Sequence, residues 1–322
     1  MIRWLIAGSF LALSACSDSV TDTDSLDQNL AIPGWRVDPE GGLNAFFDCL
    51  DETGAAIVAA HRGGPYPGFP ENALETMAAV LTQTPALMEI DVATSSDGVL
   101  YLMHDDTLER TTTGGGAADG MSWSDLQTLR LEDNSGRETQ FAPTRFDDAL
   151  RWAEGRTILE IDFKRSTKYE AVADEIKRQG AEDRVILIAY SMASARKLHS
   201  LLPAAMISLK LDTQSELNRA VASGIPDDRI LGFTGTEDPR PRLFSMLASR
   251  DVEVIFGTLG GRDSIDNDIE RSGYEQLYAD IAAQGVDIIA TDRPREAHAA
   301  LVEAGRAVED GECGVFYEKQ AS

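Results

Sequence analysis

From residue 57 onward, short apolar runs rich in Val and Ile alternate with amphipathic stretches of helical period. This alternation leaves few architectures open. The runs cover residues 57–60, 87–92, 99–103, 158–163, 185–190, 206–211, 230–233, 253–256 and 287–291. Between most of them lie stretches such as ENALETMAAVLTQ, KYEAVADEIKRQG, QSELNRAVASG and YEQLYADIAAQG, and Gly180, Gly224 and Gly285 mark helix ends. Strand–helix alternation over about 250 residues predicts a parallel (β/α)8 barrel of the TIM type. Nine runs are one too many for that barrel. The gap from Val92 to Val99 is shorter than a parallel crossover needs, and it carries the turn signal Ser96-Asp97-Gly98. The run 99–103 is therefore expected to fold back antiparallel on the second strand as a β-hairpin. Eight strands then remain, and His104 arrives at the barrel mouth.

The same segment concentrates the chemistry. His61 and Arg62 end the run AAIVAA, and His104 ends VLYLM. Glu89 and Asp91 sit two apart, so on a strand they share one face. Asp162 ends another run, LEID, with Glu160 two residues earlier on the same face. An oxygen-only set of Glu89, Asp91 and Asp162 points to one hard divalent cation, Ca²⁺ or Mg²⁺, in preference to zinc. Glu160 is a reserve ligand. His61 and His104 are the candidate general acid and base. The other two histidines, His199 and His298, lie in helical patterns and read as packing or surface residues. Arg62, by its fork, and Lys164, as a point charge, suit phosphate oxygens. Glu71 and Asn72 follow Pro70 and either cap a helix or line the site. No Ser or Cys elbow accompanies these groups, and the glycine pairs do not form a P-loop. The set is equipment for cleaving a phosphate ester.

These residues also carry a resemblance. His61-Arg62-Gly63, Glu71-Asn72, Glu89-Ile90-Asp91, His104-Asp105 with Leu108 and Arg110-Thr111-Thr112, Asp162-Phe163-Lys164, and Gly285-Val286-Asp287 to Thr291-Asp292 follow one another as in glycerophosphodiester phosphodiesterases. The chain resembles that family over residues 57–294. The resemblance implies a phosphodiesterase-type TIM barrel, related to phospholipase C, acting on a small glycerophosphodiester. Products would be glycerol 3-phosphate and an alcohol. It further implies attack by the glycerol's own vicinal hydroxyl, with water opening the resulting cyclic phosphate. Two departures stand out. Asp162 occupies a position where the family usually has Glu. The segment VIFGTLGGRD lacks the Trp expected near the end of the seventh strand, and Phe256 is the nearest aromatic. Residues 114–143 replace a larger insertion of some relatives and are expected to rim the entrance. They are mostly polar, which ranks lysophospholipids, other phosphodiester lipids and polymers below free glycerophosphodiesters. The intact site set speaks against a non-catalytic surface lipoprotein.

With 29 basic and 54 acidic residues the formal charge is 29 − 54 = −25, which disfavours nucleic acid as a partner. No feature announces an obligate protein partner. At the N-terminus, Arg3 precedes an apolar run over 4–13 that is too short to span a bilayer. Leu13-Ser14-Ala15-Cys16 follows and resembles a bacterial lipobox. The resemblance implies a signal peptide over 1–15, lipidation of Cys16, a polar tether over 16–40 and a catalytic domain over 41–322. Export and a membrane anchor in the cell envelope follow, and Ser17 fits outer-membrane sorting toward the periplasm. Disulfides persist in such a compartment, and the ends of a closed barrel lie close together, so Cys49 and Cys313 are expected to pair.

Overall fold

The structure is a computed structural model that describes residues 33–39 and 41–319. Its strands are β1 (Gly34–Val37), β2 (Ile57–Ala60), β3 (Ala86–Thr94), β4 (Leu100–Leu102), β5 (Leu159–Phe163) and β6 (Val185–Ala189). They continue with β7 (Met206–Lys210), β8 (Ile230–Phe233), β9 (Glu253–Gly257), β10 (Ile288–Thr291) and β11 (Val315–Glu318). Eight of them, β2, β3 and β5 to β10, pair in parallel, and the β2–β3 and β10–β2 pairings close the ring. The expected (β/α)8 barrel is the observed one. The ninth run, now β4, pairs antiparallel with the end of β3, Val92 opposite Leu102 and Thr94 opposite Leu100. Gly98, at φ 87°, makes the tight reversal between them.

That hairpin is anchored by its own small core. Ala93, Tyr101, Met103, Leu108, Ala118 and Leu126 are buried together, and the Tyr101 hydroxyl donates to the Ala118 carbonyl at 2.9 Å. Residues of the 114–143 segment thus hold the hairpin from behind, and His104 projects from a fixed support.

The opposite end of the barrel is sealed. Helix α1 (Leu43–Thr53) buries Leu43, Phe46, Phe47 and Leu50. These pack on the first inward layer of the strands, which includes Ile57, Leu87, Ile186, Met206, Leu231 and Ile288. β1 and β11 form a separate two-stranded antiparallel sheet. Here the expected tether over 16–40 is corrected at its C-terminal end: Gly34–Val37 is a strand, and Val37 is 1% exposed. Its partner β11 lies nearly 280 residues away, so no local pattern announces the pairing. The signal peptide, Cys16 and the tether to residue 32 lie outside the described residues.

Cys49 of α1 and Cys313, just before β11, are joined by a disulfide across 264 residues. A cross-link closing so long a loop restricts the unfolded chain strongly, by about 5–6 kcal/mol in the chain-entropy picture. Replacing both with Ser is expected to lower stability by about 2–5 kcal/mol, read as a lower Tm or denaturant midpoint. An unchanged midpoint would show that the cross-link adds nothing.

The sealed end also sets a pH dependence. Glu253 begins β9 and is 7% exposed, with Oε1 lacking a hydrogen-bond partner. Burial, then the charges of Asp287 and its neighbours, push its carboxyl up to about 8, and burial pushes Asp287 to about 7. Both therefore hold protons more tightly folded than unfolded. Their contribution is complete below the ordinary value of an exposed carboxylate. It is lost as pH rises through about 7 to 8. Stability is expected to fall by something on the order of 3 kcal/mol between about pH 5 and pH 8. Glu253→Gln should flatten that slope in urea titrations. A slope of the opposite sign in the native protein would refute the assignment.

Candidate active site

The site sits where the barrel strands end, and strand register builds most of it. Glu89 of β3 stands opposite Glu160 of β5, and Asp91 stands opposite Asp162. All four are buried, between 1% and 8% exposed, at two levels of the inner wall. Ligand oxygens of Glu89, Asp91 and Asp162 lie within 4.8 Å of one another. Glu160, level with Glu89, lies outside that trio, held by Ser208, and burial pushes its carboxyl up to about 7.

Three negative groups cannot be buried together without compensation. Burial, and next the charge of Asp91, push the Glu89 carboxyl well above its ordinary value. Burial also opposes ionisation of Asp91, but Lys164, His104 and Asn72 outweigh it and hold that carboxyl below its ordinary value. The Lys164 ammonium bridges Asp91 Oδ1 and Asp162 Oδ2, at 3.0 Å from each. Asp162 Oδ1 is buried with no hydrogen-bond partner. An orphaned carboxylate oxygen beside two further carboxylates fits a hard cation with oxygen ligands. Asp162, short as it is, reaches the trio.

Backbone conformation positions the next shell. Arg62 and Asn72 are non-glycine residues at positive φ, 52° and 57°. Such residues are uncommon, and these two hold the site together. The Arg62 N–H donates to Glu89 Oε2 at 2.7 Å. Asn72 clamps Asp91 from both sides, Nδ2 donating to its Oδ2 at 2.8 Å and Oδ1 accepting from its N–H at 2.9 Å. The following helix, Leu74–Leu81, has Ala73 at its N-cap and no side-chain cap. Of the two roles open to Glu71 and Asn72, the structure thus places them in the site. Gly64 has φ 75°, and a Cβ there would meet Pro294 at 2.8 Å, so this turn demands glycine.

Each histidine is oriented by a carboxylate. His61 Nδ1 lies 2.6 Å from Asp292 Oδ1, and His104 Nδ1 lies 2.6 Å from Asp105 Oδ1. Burial raises Asp292, yet the His61 contact prevails and holds it below its ordinary value. Asp292 is fixed in turn by Asp266, whose Oδ2 accepts from its N–H at 2.7 Å. Asp105 is gripped by Arg110, through Nε at 2.6 Å and Nη2 at 2.8 Å, which holds it far below the carboxylate range. Arg110 also donates to both oxygens of buried Glu71 at 2.8 Å, and Glu71 accepts from Arg62 Nη1 at 3.1 Å. A continuous network therefore runs from His104 to Arg62. Arg62 Nε is buried without a hydrogen bond and faces Asp91 Oδ2 at 3.7 Å.

The sequence reading missed Asp292, Asp105 and Arg110 as functional groups. Asp105 and Arg110 stand beside His104 in the chain. Asp292 is 231 residues from His61, and only barrel closure brings them together. Phe256, the aromatic nearest the place of the family's Trp, is fully buried and packs on Phe244, with ring centroids 6.3 Å apart. Its side chain is not in the pocket, where Phe233 and Tyr190 supply the aromatic surface instead. His298 is a packing residue beside Trp35, pushed down to about 4 by burial. The cavity above the carboxylates measures about 340 Å³. One wall is charged; the other is formed by Ile188, Tyr190, Phe233, Ile255 and Leu259.

A parallel barrel with a buried carboxylate cradle and two carboxylate-oriented histidines at its C-terminal mouth defines the class of phosphodiesterase barrels. The profile of the Glycerophosphoryl diester phosphodiesterase family matches residues 61–227, more than half of the chain. The chain belongs to that family. A solved glycerophosphoryl diester phosphodiesterase from Parabacteroides distasonis is 31% identical, covering 86% of this chain and 97% of its own, with a TM-score of 0.77. A probable glycerophosphodiester phosphodiesterase 2 of Mycobacterium tuberculosis is 28% identical over 63% of this chain and 68% of its own length. An Oleispira antarctica phosphodiesterase, solved with the product sn-glycerol-3-phosphate, shares the fold at 18% identity and a TM-score of 0.60, over 77% of this chain and 97% of its own. Matches to curated relatives span from 24% to 68% of their lengths.

Proposed function

We propose that this protein hydrolyses glycerophosphodiesters to glycerol 3-phosphate and an alcohol. One observation carries the reading: the three convergent carboxylates share a single pocket with both histidines, His61 and His104. Glu89, Asp91 and Asp162 would hold a Ca²⁺ or Mg²⁺ ion, which neutralises charge developing on the phosphate. Lys164 and Arg62 supply further positive charge toward phosphate oxygens. One histidine removes the proton of the attacking hydroxyl while the other protonates the leaving oxygen. Asp105 and Asp292 fix the ring orientations, as carboxylates do for catalytic imidazoles. The names of the relatives and the product seen in the Oleispira protein support the same substrate class.

Free diesters are favoured over acylated ones by the surroundings of the pocket. The adjoining clefts are lined by charged and polar side chains, among them Asp212 and Arg240 on one side and Arg110 and Arg293 on the other. These charged rims favour a polar arm over an acyl chain. The test uses protein starting after Cys16, stripped of metal, with glycerophosphocholine and glycerophosphoethanolamine as substrates. Release of glycerol 3-phosphate is expected only once Ca²⁺ or Mg²⁺ is restored. No release with either ion would sink the reading.

Export and lipid anchoring through Cys16 belong to this proposal. The Cys49–Cys313 disulfide supports an oxidising compartment. Cys16→Ala in the full chain is expected to shift the protein from the membrane fraction to the soluble fraction.

A further inference from the structure

Two lysines line the catalytic pocket, and their circumstances differ. Lys164 is committed to Asp91 and Asp162. Lys210 ends β7, and its ammonium has no carboxylate within hydrogen-bond reach. It pairs at long range with Asp212 Oδ2, 3.7 Å away, while Arg240 Nη1 holds the other oxygen of Asp212, Oδ1, at 2.8 Å. The Lys210 side chain is 62% exposed. Ser208, two residues earlier on the same face, lines the same cavity at a deeper level.

Position gives this lysine its meaning. β7 lies four strands around the ring from β2, so Lys210 stands across the mouth from His61, with the cradle of β3 and β5 to one side. A diester held at the cradle would have His61 on one side and Lys210 on the other. On the His61 side the charges are paired: Arg62 and Arg110 with Glu71, Asp292 with His61, and Arg293 with Glu275. That side suits a neutral polyol. Lys210 and Phe233 border both the catalytic pocket and a further cleft of about 370 Å³. Glu237 and Asp238, both exposed, lie along that cleft. Their charge disfavours a long polyanion and leaves room for one short acidic group at Lys210.

We propose that Lys210 makes this wall an anion subsite, so that the enzyme selects glycerophosphodiesters whose alcohol arm carries a carboxylate or second phosphate close to the diester. The inference rests on the reading of function given above and names the substrate class within it. An ammonium–carboxylate contact of this kind strengthens binding without taking part in proton transfer.

Glycerophosphoserine and glycerophosphoethanolamine differ only by one carboxylate and form the test pair. In the native protein kcat/KM is expected to favour the serine diester by about three- to fivefold, mostly through KM. The preference should shrink as salt is raised through the range where exposed charges are screened. Lys210→Met should bring the ratio near one, Lys210→Glu should invert it, and Lys210→Arg should keep it. Cleavage of both diesters at equal rates by the native protein, or an unchanged ratio in Lys210→Met, overturns the subsite alone. Failure to cleave either diester with Ca²⁺ or Mg²⁺ overturns the reading of function and the subsite with it.

Discussion

His104→Ala lowers kcat by about 10²–10⁴-fold while cation affinity stays within a few-fold of native, the loss expected for a positioned general acid or base. The separation of the two effects comes from the geometry. His104 sits on the hairpin outside the ring, bonded to Asp105 at 2.6 Å, and contributes no atom to the carboxylate trio. Removing the imidazole leaves the Asp105–Arg110–Glu71 network closed on itself. The support under the hairpin is also untouched, because Tyr101, Met103 and Leu108 pack independently of the ring. Stopped-flow or steady-state rates, paired with calorimetric cation titration, check both halves. Turnover comparable to native would remove His104 from the chemistry. A large loss of cation binding would move it to the ligand set.

Asp91→Asn has the second large effect, and it acts on the cradle. Asp91 holds Lys164 through one oxygen and Asn72 through the other. The amide preserves shape and removes the charge. A hard cation then loses an anionic ligand, and Lys164 is left to Asp162 alone. Several kcal/mol of transition-state stabilisation is at stake, so kcat/KM is expected to fall by about 10³-fold. Glu89 gains from the change, since the neighbouring charge that raised its carboxyl is gone. The folded state should therefore survive, and the readout is the cation itself. Added Ca²⁺ or Mg²⁺ raises the Tm of the native protein with the logarithm of its concentration over Kd, and the variant should lose that rise. A variant that keeps it would place the ion elsewhere.

Much of the candidate site was legible before any coordinates, for a local reason. Side chains two apart on a strand share a face, so Glu89 with Asp91 and Glu160 with Asp162 could be assigned to the barrel interior from spacing alone. The short Val92–Val99 gap likewise determined the direction of β4, because a parallel return needs more chain. Asn72 was ambiguous because its role depends on a left-handed backbone, φ 57°, that no residue pattern announces.

What the chain determined by itself is what depends on near neighbours: strand and helix periods, the hairpin, and the identity of the carboxylates and histidines. Only the tertiary structure decided which distant groups complete them. Asp292 reaches His61 across 231 residues because the ring closes between β10 and β2. β1 finds β11 and Cys49 finds Cys313 for the same reason, since β1, α1 and β11 all lie at the sealed end of the barrel. Lys210 acquires its place opposite His61 from the order of strands around a closed ring. Periodicity along a chain carries no record of that closure, because it is set by which apolar faces bury one another once every strand is formed.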